Sequence, residues 1–259
     1  MSLWRYRRWI WGAALADFTY RYAGSGLGVL WNVITPLLLL AVYAVVFTAF
    51  AGSQRLVDGV SIPYPLYLSA AFLPWAAFAD CLVRATNAFV NGAPYLKKMP
   101  IPEQLFVAQA AVSASLGMLI AMGLLVGFAL VLRQPPHWTW LLLPVVGVLW
   151  QTFGFGIGLV LSTFNVFFRD VGQVLVVALQ VWMWSVPVVY PEEILPATYR
   201  ALLPLNPAYP FVRAIRELYL VGSVPTPLEW VALLGWVAVA AALGSLVLRH
   251  FRAEVRDAL

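Results

Sequence analysis

The apolar residues of this chain come in long unbroken runs rather than in the alternating or 3.6-residue stripes of a water-soluble fold. A helix needs about 20 mainly apolar residues to cross a hydrocarbon core. Six stretches qualify: residues 29–50, 64–83, 105–132, 141–164, 171–190 and 230–248. The pattern predicts an all-α polytopic membrane protein of six transmembrane helices, one domain over 1–259. Two further segments carry a different pattern. Within 1–22, Trp4, Trp11, Leu15, Phe18 and Tyr22 share one face at helical spacing, with Arg7 and Arg8 beside it and Trp9 and Ile10 off it. That predicts an N-terminal amphipathic helix lying in the membrane interface; a basic, Trp-rich flank anchoring the first span is the alternative. Within 191–221 the apolar pieces are too short to cross, and Pro187, Pro191, Pro196, Pro204, Pro207 and Pro210 punctuate them. Short re-entrant or gate helices between spans five and six are expected, because irregular backbone at membrane depth needs protein or a water-filled cavity beside it. A folded external loop is the alternative. Pro210 suits the first turn of the last short helix, where Arg213 and Glu217 are spaced to pair.

Composition sharpens the picture. The chain is 63% hydrophobic and 10% charged, against about 25% charged in an ordinary soluble domain. This excludes a soluble globular domain, a disordered chain and a nucleic-acid binder; the net charge of +5 is scattered between apolar runs. A single cysteine, Cys81, leaves no disulfide framework and no cysteine metal site, and the two histidines, His137 and His250, stand at the ends of apolar runs. With the N-terminus in the cytoplasm, eleven of the 16 basic residues lie inside. That asymmetry predicts both termini in the cytoplasm. No cleavable signal peptide is expected, since Asp17 and Arg21 interrupt the early sequence.

Candidate chemistry is sparse. No G-x-x-x-x-G-K-[ST] loop is present, and the only lysines are Lys97 and Lys98, so ATP is not hydrolysed here by that route and no enzyme activity is expected. The spans lack the mid-membrane ionisable cluster of a coupled transporter. They carry aromatic rings instead, among them Trp31, Tyr43, Trp182, Trp184 and Tyr190. These suit either an interfacial belt or stacking on sugars. In the loop 84–103, Asn91, Gly92 and Pro94 are expected to break the chain, and Phe89 and Tyr95 to face the cytoplasm. A docking surface for a soluble partner and a loop tucked against the membrane are both open. Asp80 and Arg84 are spaced as a helical pair. Asp170 is a candidate N-cap for span five with Gln173 at capping-box spacing, and Arg169 a boundary anchor. Gly154 and Gly158 form a small-x-x-x-small pair expected to face another helix.

Several short motifs then recur in a fixed order: Arg21-Tyr22, Ser25-Gly26-Leu27-Gly28, Leu30-Trp31, Pro36, Lys97-Lys98-Met99-Pro100, Arg169-Asp170, Pro187, Asn206-Pro207 and Arg216. In that order and spacing the chain resembles ABC-2-type permeases that export lipid-linked polysaccharides, the O-antigen, capsule and teichoic-acid exporters alike. The resemblance implies a homodimer in the bacterial inner membrane, joined by two ATPase subunits encoded on another chain. ATP and Mg would sit on those subunits, with no cofactor in this one. Arg21, Tyr22 and Arg169 would meet a lipid diphosphate at the cytoplasmic mouth, where the fork of Arg21 suits phosphate oxygens; anchoring of span one is the other role open to Arg21. Trp31, Tyr43, Trp182, Trp184 and Tyr190 would line the path. Arg84, Asn87, Phe89, Tyr95, Lys97 and Lys98 would couple to the ATPase, and Pro187, Asn206, Pro207, Arg213 and Arg216 would form the outer gate. An ABC-2 permease for another lipid or a drug is the alternative, then a stand-alone secondary transporter.

Overall fold

A computed structural model describes residues 3–21, 24–51, 54–57, 60–98 and 101–259. The chain is a helical bundle with one small β-hairpin. Its elements in order are α1 (Arg7–Tyr20), α2 (Trp31–Ala51), β1 (Gln54–Val57), β2 (Val60–Pro63), α3 (Tyr64–Leu96), α4 (Gln104–Val131), α5 (Leu143–Phe167), α6 (Val171–Ser185), α7 (Ala197–Leu202), α8 (Tyr209–Arg216), α9 (Pro227–His250) and α10 (Arg252–Ala258). The two strands pair antiparallel, Val57 against Val60 at the tip.

Five helices, α2, α3, α4, α5 (with the 3-10 turn before it) and α9, are long and apolar enough to cross a membrane. The protein is an all-α polytopic membrane protein. The remaining expected span is shorter than read: α6 has 15 residues, about 22 Å of helix, and the chain leaves helical geometry at Val186, just before Pro187. The second span is longer than read. Helix α3 does not stop at 83 but runs 33 residues to Leu96, straight through Asn91, Gly92 and Pro94. Gly92 is no break: a Cβ there would lie 2.6 Å from the Phe106 ring, so glycine serves the close approach of α4.

Helix α3 is the centre of the bundle, packing on α2, α4, α5, α6 and α8. Helix α5 is wedged between α3 and α9 by glycines on two faces. Gly154 rests on Cys81 and Phe78, and Gly158 on Ala85, as the small-residue spacing predicted. On its other face Gly156 lies against the backbone of Ala240, and Gly244 against the carbonyl of Gly156. Any larger residue would push these backbones apart. In the middle, Phe78, Trp150, Phe153 and Phe211 stack with centroids 5.2 to 5.8 Å apart.

Phe211 belongs to α8, so this short helix packs into the bundle rather than standing apart as an external loop. Its apolar stripe, Phe211, Ile215, Leu218 and Tyr219, is buried in the core. Helix α7 instead keeps Tyr199 and Leu202 exposed. Helix α1 lies along α4. It buries Ile10 and Ala14 there, and Trp9 meets Phe106 edge-on. Trp4, Trp11 and Leu15 remain exposed, so the helix has two working faces, one for the bundle and one for its surroundings. The expected capping box at Asp170 does not form; Asp170 caps nothing with its side chain. The Asn165 Oδ1 accepts from the Gly172 amide instead, 3.1 Å away. A capping box stands at the start of α9, between Thr226 and Glu229.

Candidate functional site

Chain geometry gathers the charged residues of the N-terminal helix and of α3 at the end of the bundle that carries both termini. Asp80 and Arg84 pair at 2.7 Å on α3, one helical turn apart as their spacing predicted. Arg21, just beyond α1, donates to Asp80 at 3.3 Å and to the Ser113 hydroxyl of α4 at 3.4 Å. Asp17 accepts from Arg84 at 3.2 Å and from Ser113 at 2.6 Å. Two guanidiniums thus face two carboxylates across three helices, with no net charge. The signal in the sequence was the presence of Asp17 and Arg21 one turn apart in so apolar a chain.

This cluster floors a cavity of about 320 Å3 between the start of α2 and the bodies of α3 and α4. Trp31, Asn32 and Thr35 form one wall, Ala76, Ala77, Gly117 and Ala121 the other. Small residues on α3 and α4 open the space, and Arg21, Asp80 and Arg84 give it a polar rim. A guanidinium has five N–H donors and can hold a carboxylate while presenting a second edge. The cavity therefore offers forked donors, an indole and amide and hydroxyl groups to a polar head with an apolar neck. Tyr22 lies outside the described residues. Arg169 stands exposed in the turn between α5 and α6 and does not line this cavity.

The residues read as coupling groups divide in two. Phe89 is fully buried with Ala85 and Val166, which corrects its expected exposure: the unbroken helix puts it on the inward face of Phe78, Leu82 and Ala85. Asn87 is internal glue, donating to the Val83 carbonyl and accepting from Asn165 of α5. Arg84 belongs to the charge cluster. Tyr95, Lys97 and Lys98 are exposed at the tip of α3, Tyr95 stacked on Phe106.

At the opposite end, the short segments are held by side chains that reach backbone carbonyls. After α6, three successive carbonyls are taken: Val188 by Arg216 at 2.9 Å, Val189 by Tyr64 at 2.7 Å and Tyr190 by Tyr67 at 3.3 Å. Helix α8 runs into a π-turn, Glu217–Val221, whose altered spacing frees carbonyls. Thr139 donates to Leu218 at 2.6 Å, Trp140 to Tyr219 at 3.1 Å, and the Tyr219 hydroxyl to Leu125 at 2.7 Å. Arg216 is 6% exposed and its guanidinium sits 3.9 Å from the Tyr67 ring centroid. Pro187 is buried in the segment that follows α6. Asn206 accepts from Trp182 at 2.8 Å and donates to Ser185 at 3.0 Å, so Asn206-Pro207 is fastened to the end of α6. Arg213 faces outward and bridges Glu217 and Glu229. Tyr64, Tyr67, Thr139 and Trp140 escaped the sequence reading, because a side chain that bonds a distant carbonyl leaves no spacing.

The aromatic residues read as a path are dispersed within one chain. Trp31 lines the charged cavity, with its indole donating to Ser25. Tyr43 packs edge-on against Phe72, and Trp182 against Trp75 and Phe78. Trp184 and Tyr190 are joined at the far end, the Tyr190 hydroxyl donating to the Trp184 carbonyl.

A family model described as ABC-2 type transporter matches residues 11–220, from α1 through the π-turn, so it contains both regions. The chain is 27% identical over 208 residues to the O-antigen export system permease protein RfbA of Klebsiella pneumoniae, covering 80% of this chain and 78% of that protein. It is 27% identical over 227 residues to the O-antigen export system permease protein RfbA of Myxococcus xanthus, covering 86% and 85%.

Proposed function

The chain belongs to the ABC-2 type transporter family, and we propose that it is the membrane subunit of an ATP-driven exporter moving a lipid-linked polysaccharide out across the bacterial inner membrane. The observation that carries the substrate class is the similarity, over four-fifths of the chain, to two O-antigen export permeases of matching length. A capsule polysaccharide or a teichoic-acid polyol phosphate is a related cargo, a long polar polymer on a lipid phosphate.

In this reading the end with both termini faces the cytoplasm, as the distribution of bases favours. The cavity beside Arg21 receives the lipid diphosphate, whose oxygens compete with Asp80 for the guanidinium. Tyr95, Lys97 and Lys98 at the tip of α3 meet a separate ATPase subunit, which holds the ATP and Mg. Two copies of this chain form the path. Helix α2 exposes Leu38, Val42 and Val45, and α6 exposes Val174, Val177 and Val181; a second copy would cover such faces. The segments around Pro187 and Asn206-Pro207 close the outer mouth at rest, since an open pore of glycan width would leak ions.

The test is purification of the chain with its ATPase from native membranes, followed by mass spectrometry of bound lipid. A glycan on a polyprenyl phosphate or diphosphate is expected; recovery of a drug or a simple lipid alone would overturn the substrate class. Arg21→Lys keeps the charge and loses the fork, so export should fall several-fold. Full export by that variant would return Arg21 to an anchoring role.

A further inference from the structure

A second cavity, of about 400 Å3, lies on the other side of α4, at the end of the bundle carrying the termini. Glu103, Arg249 and Arg252 form its polar side, and Phe155, Leu159 and Leu248 its apolar wall. At about 30 Å3 per water, it has room for roughly a dozen waters, enough for a phosphate headgroup. The charge balance favours an anion. Both oxygens of Glu103 are already engaged, by Arg252 at 3.0 Å and by Arg256. Arg249 has no carboxylate partner among the described residues.

Phe155 also lines a neighbouring groove of about 380 Å3. That groove is mostly apolar, walled by Ile10 of α1, Ala108, Ala111 and Val112 of α4 and Val148 of α5, with Ser115, Gln151 and Thr152 as its polar groups. The two spaces meet at one ring, and together they have the form of an amphiphile. From Gln104 at the polar end to Ser115 at the far end of the groove, α4 rises about 16 Å. Half of a hydrocarbon core is about 15 Å, so the two spaces together are about one leaflet deep.

We propose that this paired pocket holds one anionic phospholipid of the cytoplasmic leaflet, its phosphate on Arg249 and Arg252 and an acyl chain along α4 and α5. Basic pockets between membrane helices on the cytoplasmic side are suited to such headgroups. The inference rests on the orientation with the termini inside, not on the polysaccharide. The site shares no wall residue with the Arg21 cavity, so it is a separate site from that one.

The experiment reconstitutes the full chain in phosphatidylcholine, adds phosphatidylglycerol, and counts retained lipids by native mass spectrometry. One phosphatidylglycerol per chain is expected, held about tenfold over phosphatidylcholine. Arg249→Gln should cut that retention about tenfold and Arg249→Lys less. Arg5→Gln, which removes the same charge from the 3-10 turn before α1, should leave it unchanged. Thr152→Trp fills the exposed groove with every charge intact and should also expel the lipid, so the proposal does not depend on one variant folding. Equal retention of the two lipids, or wild-type retention by Arg249→Gln or by Thr152→Trp, would overturn the site. Displacement of the lipid by inorganic phosphate would show a soluble-anion site in its place.

Discussion

Where the termini lie, helices are joined by ions: Asp17, Arg21, Asp80 and Arg84 link α1 and α3, with Ser113 of α4 bonded to both Arg21 and Asp17, while Glu103, Arg252 and Arg256 fasten α10 to the start of α4. At the other end, six carbonyls from Leu125 to Tyr219 are each met by a donor from another element. All of those donors are neutral except Arg216. The two chemistries answer to different surroundings. The ion pairs of Asp17 and Asp80 are partly exposed, so they are screened by salt and exchange easily with water or a competing anion, whereas Glu103 is a buried anchor. Carbonyls left by non-helical backbone at membrane depth have no water to turn to, and each one unmet costs free energy. The first kind of join suits a surface that admits a charged ligand and receives a partner. The second suits a closure that must hold.

The largest effect expected from this contrast is at Arg216. Arg216→Ala removes a charged hydrogen bond and a desolvated cation–π contact, together about 2–4 kcal/mol. The thermal midpoint in detergent should fall by the same amount at low and high salt; a loss that salt abolishes would place Arg216 with the ion-paired end. Next is Glu103. Burial pushes its carboxyl up, but its own backbone amide, Arg256 and Arg252 outweigh that and hold it below the ordinary value. A carboxyl so lowered stabilises the fold above its unfolded pKa and loses that contribution as pH falls through the folded one. Glu103→Gln should cost about 2 kcal/mol at neutral pH and flatten the acid limb of the stability profile. Unchanged acid sensitivity in that variant would show the carboxylate to be idle. The smallest effect is at Asp80. Asp80→Asn should cost at most about 1 kcal/mol, shrinking as salt rises, and a large salt-independent loss would erase the distinction between the two ends.

Five of the six expected spans were legible, because burial in lipid demands long apolar runs, and so was the short apolar helix α8, whose run is too short to cross. The Asp80–Arg84 and Arg213–Glu217 pairs were legible because a helix fixes their spacing. What escaped is whatever joins distant residues. Arg84 meets Asp17 across 67 positions, and Arg252 meets Glu103 across 149. Phe89 was misplaced for a related reason. Gly92 and Pro94 read as breakers on local grounds, whereas Gly92 is small because Phe106 of α4 needs the space. Asn165 took the capping role expected of Asp170 because the preceding helix already holds its amide beside the next helix start.

The unbroken length of α3 has a mechanical consequence. Its 33 residues make a rod of about 50 Å. Tyr95 is at one tip; Tyr64, at the other, grips the Val189 carbonyl. Glycines of α5 lie flush along its shaft like a guide rail. A thrust delivered at the Tyr95 tip would therefore reach the Val189 segment through one covalent strut, with no hinge loop to absorb the stroke and only the turns at Pro74 and Pro94 at which the rod can flex.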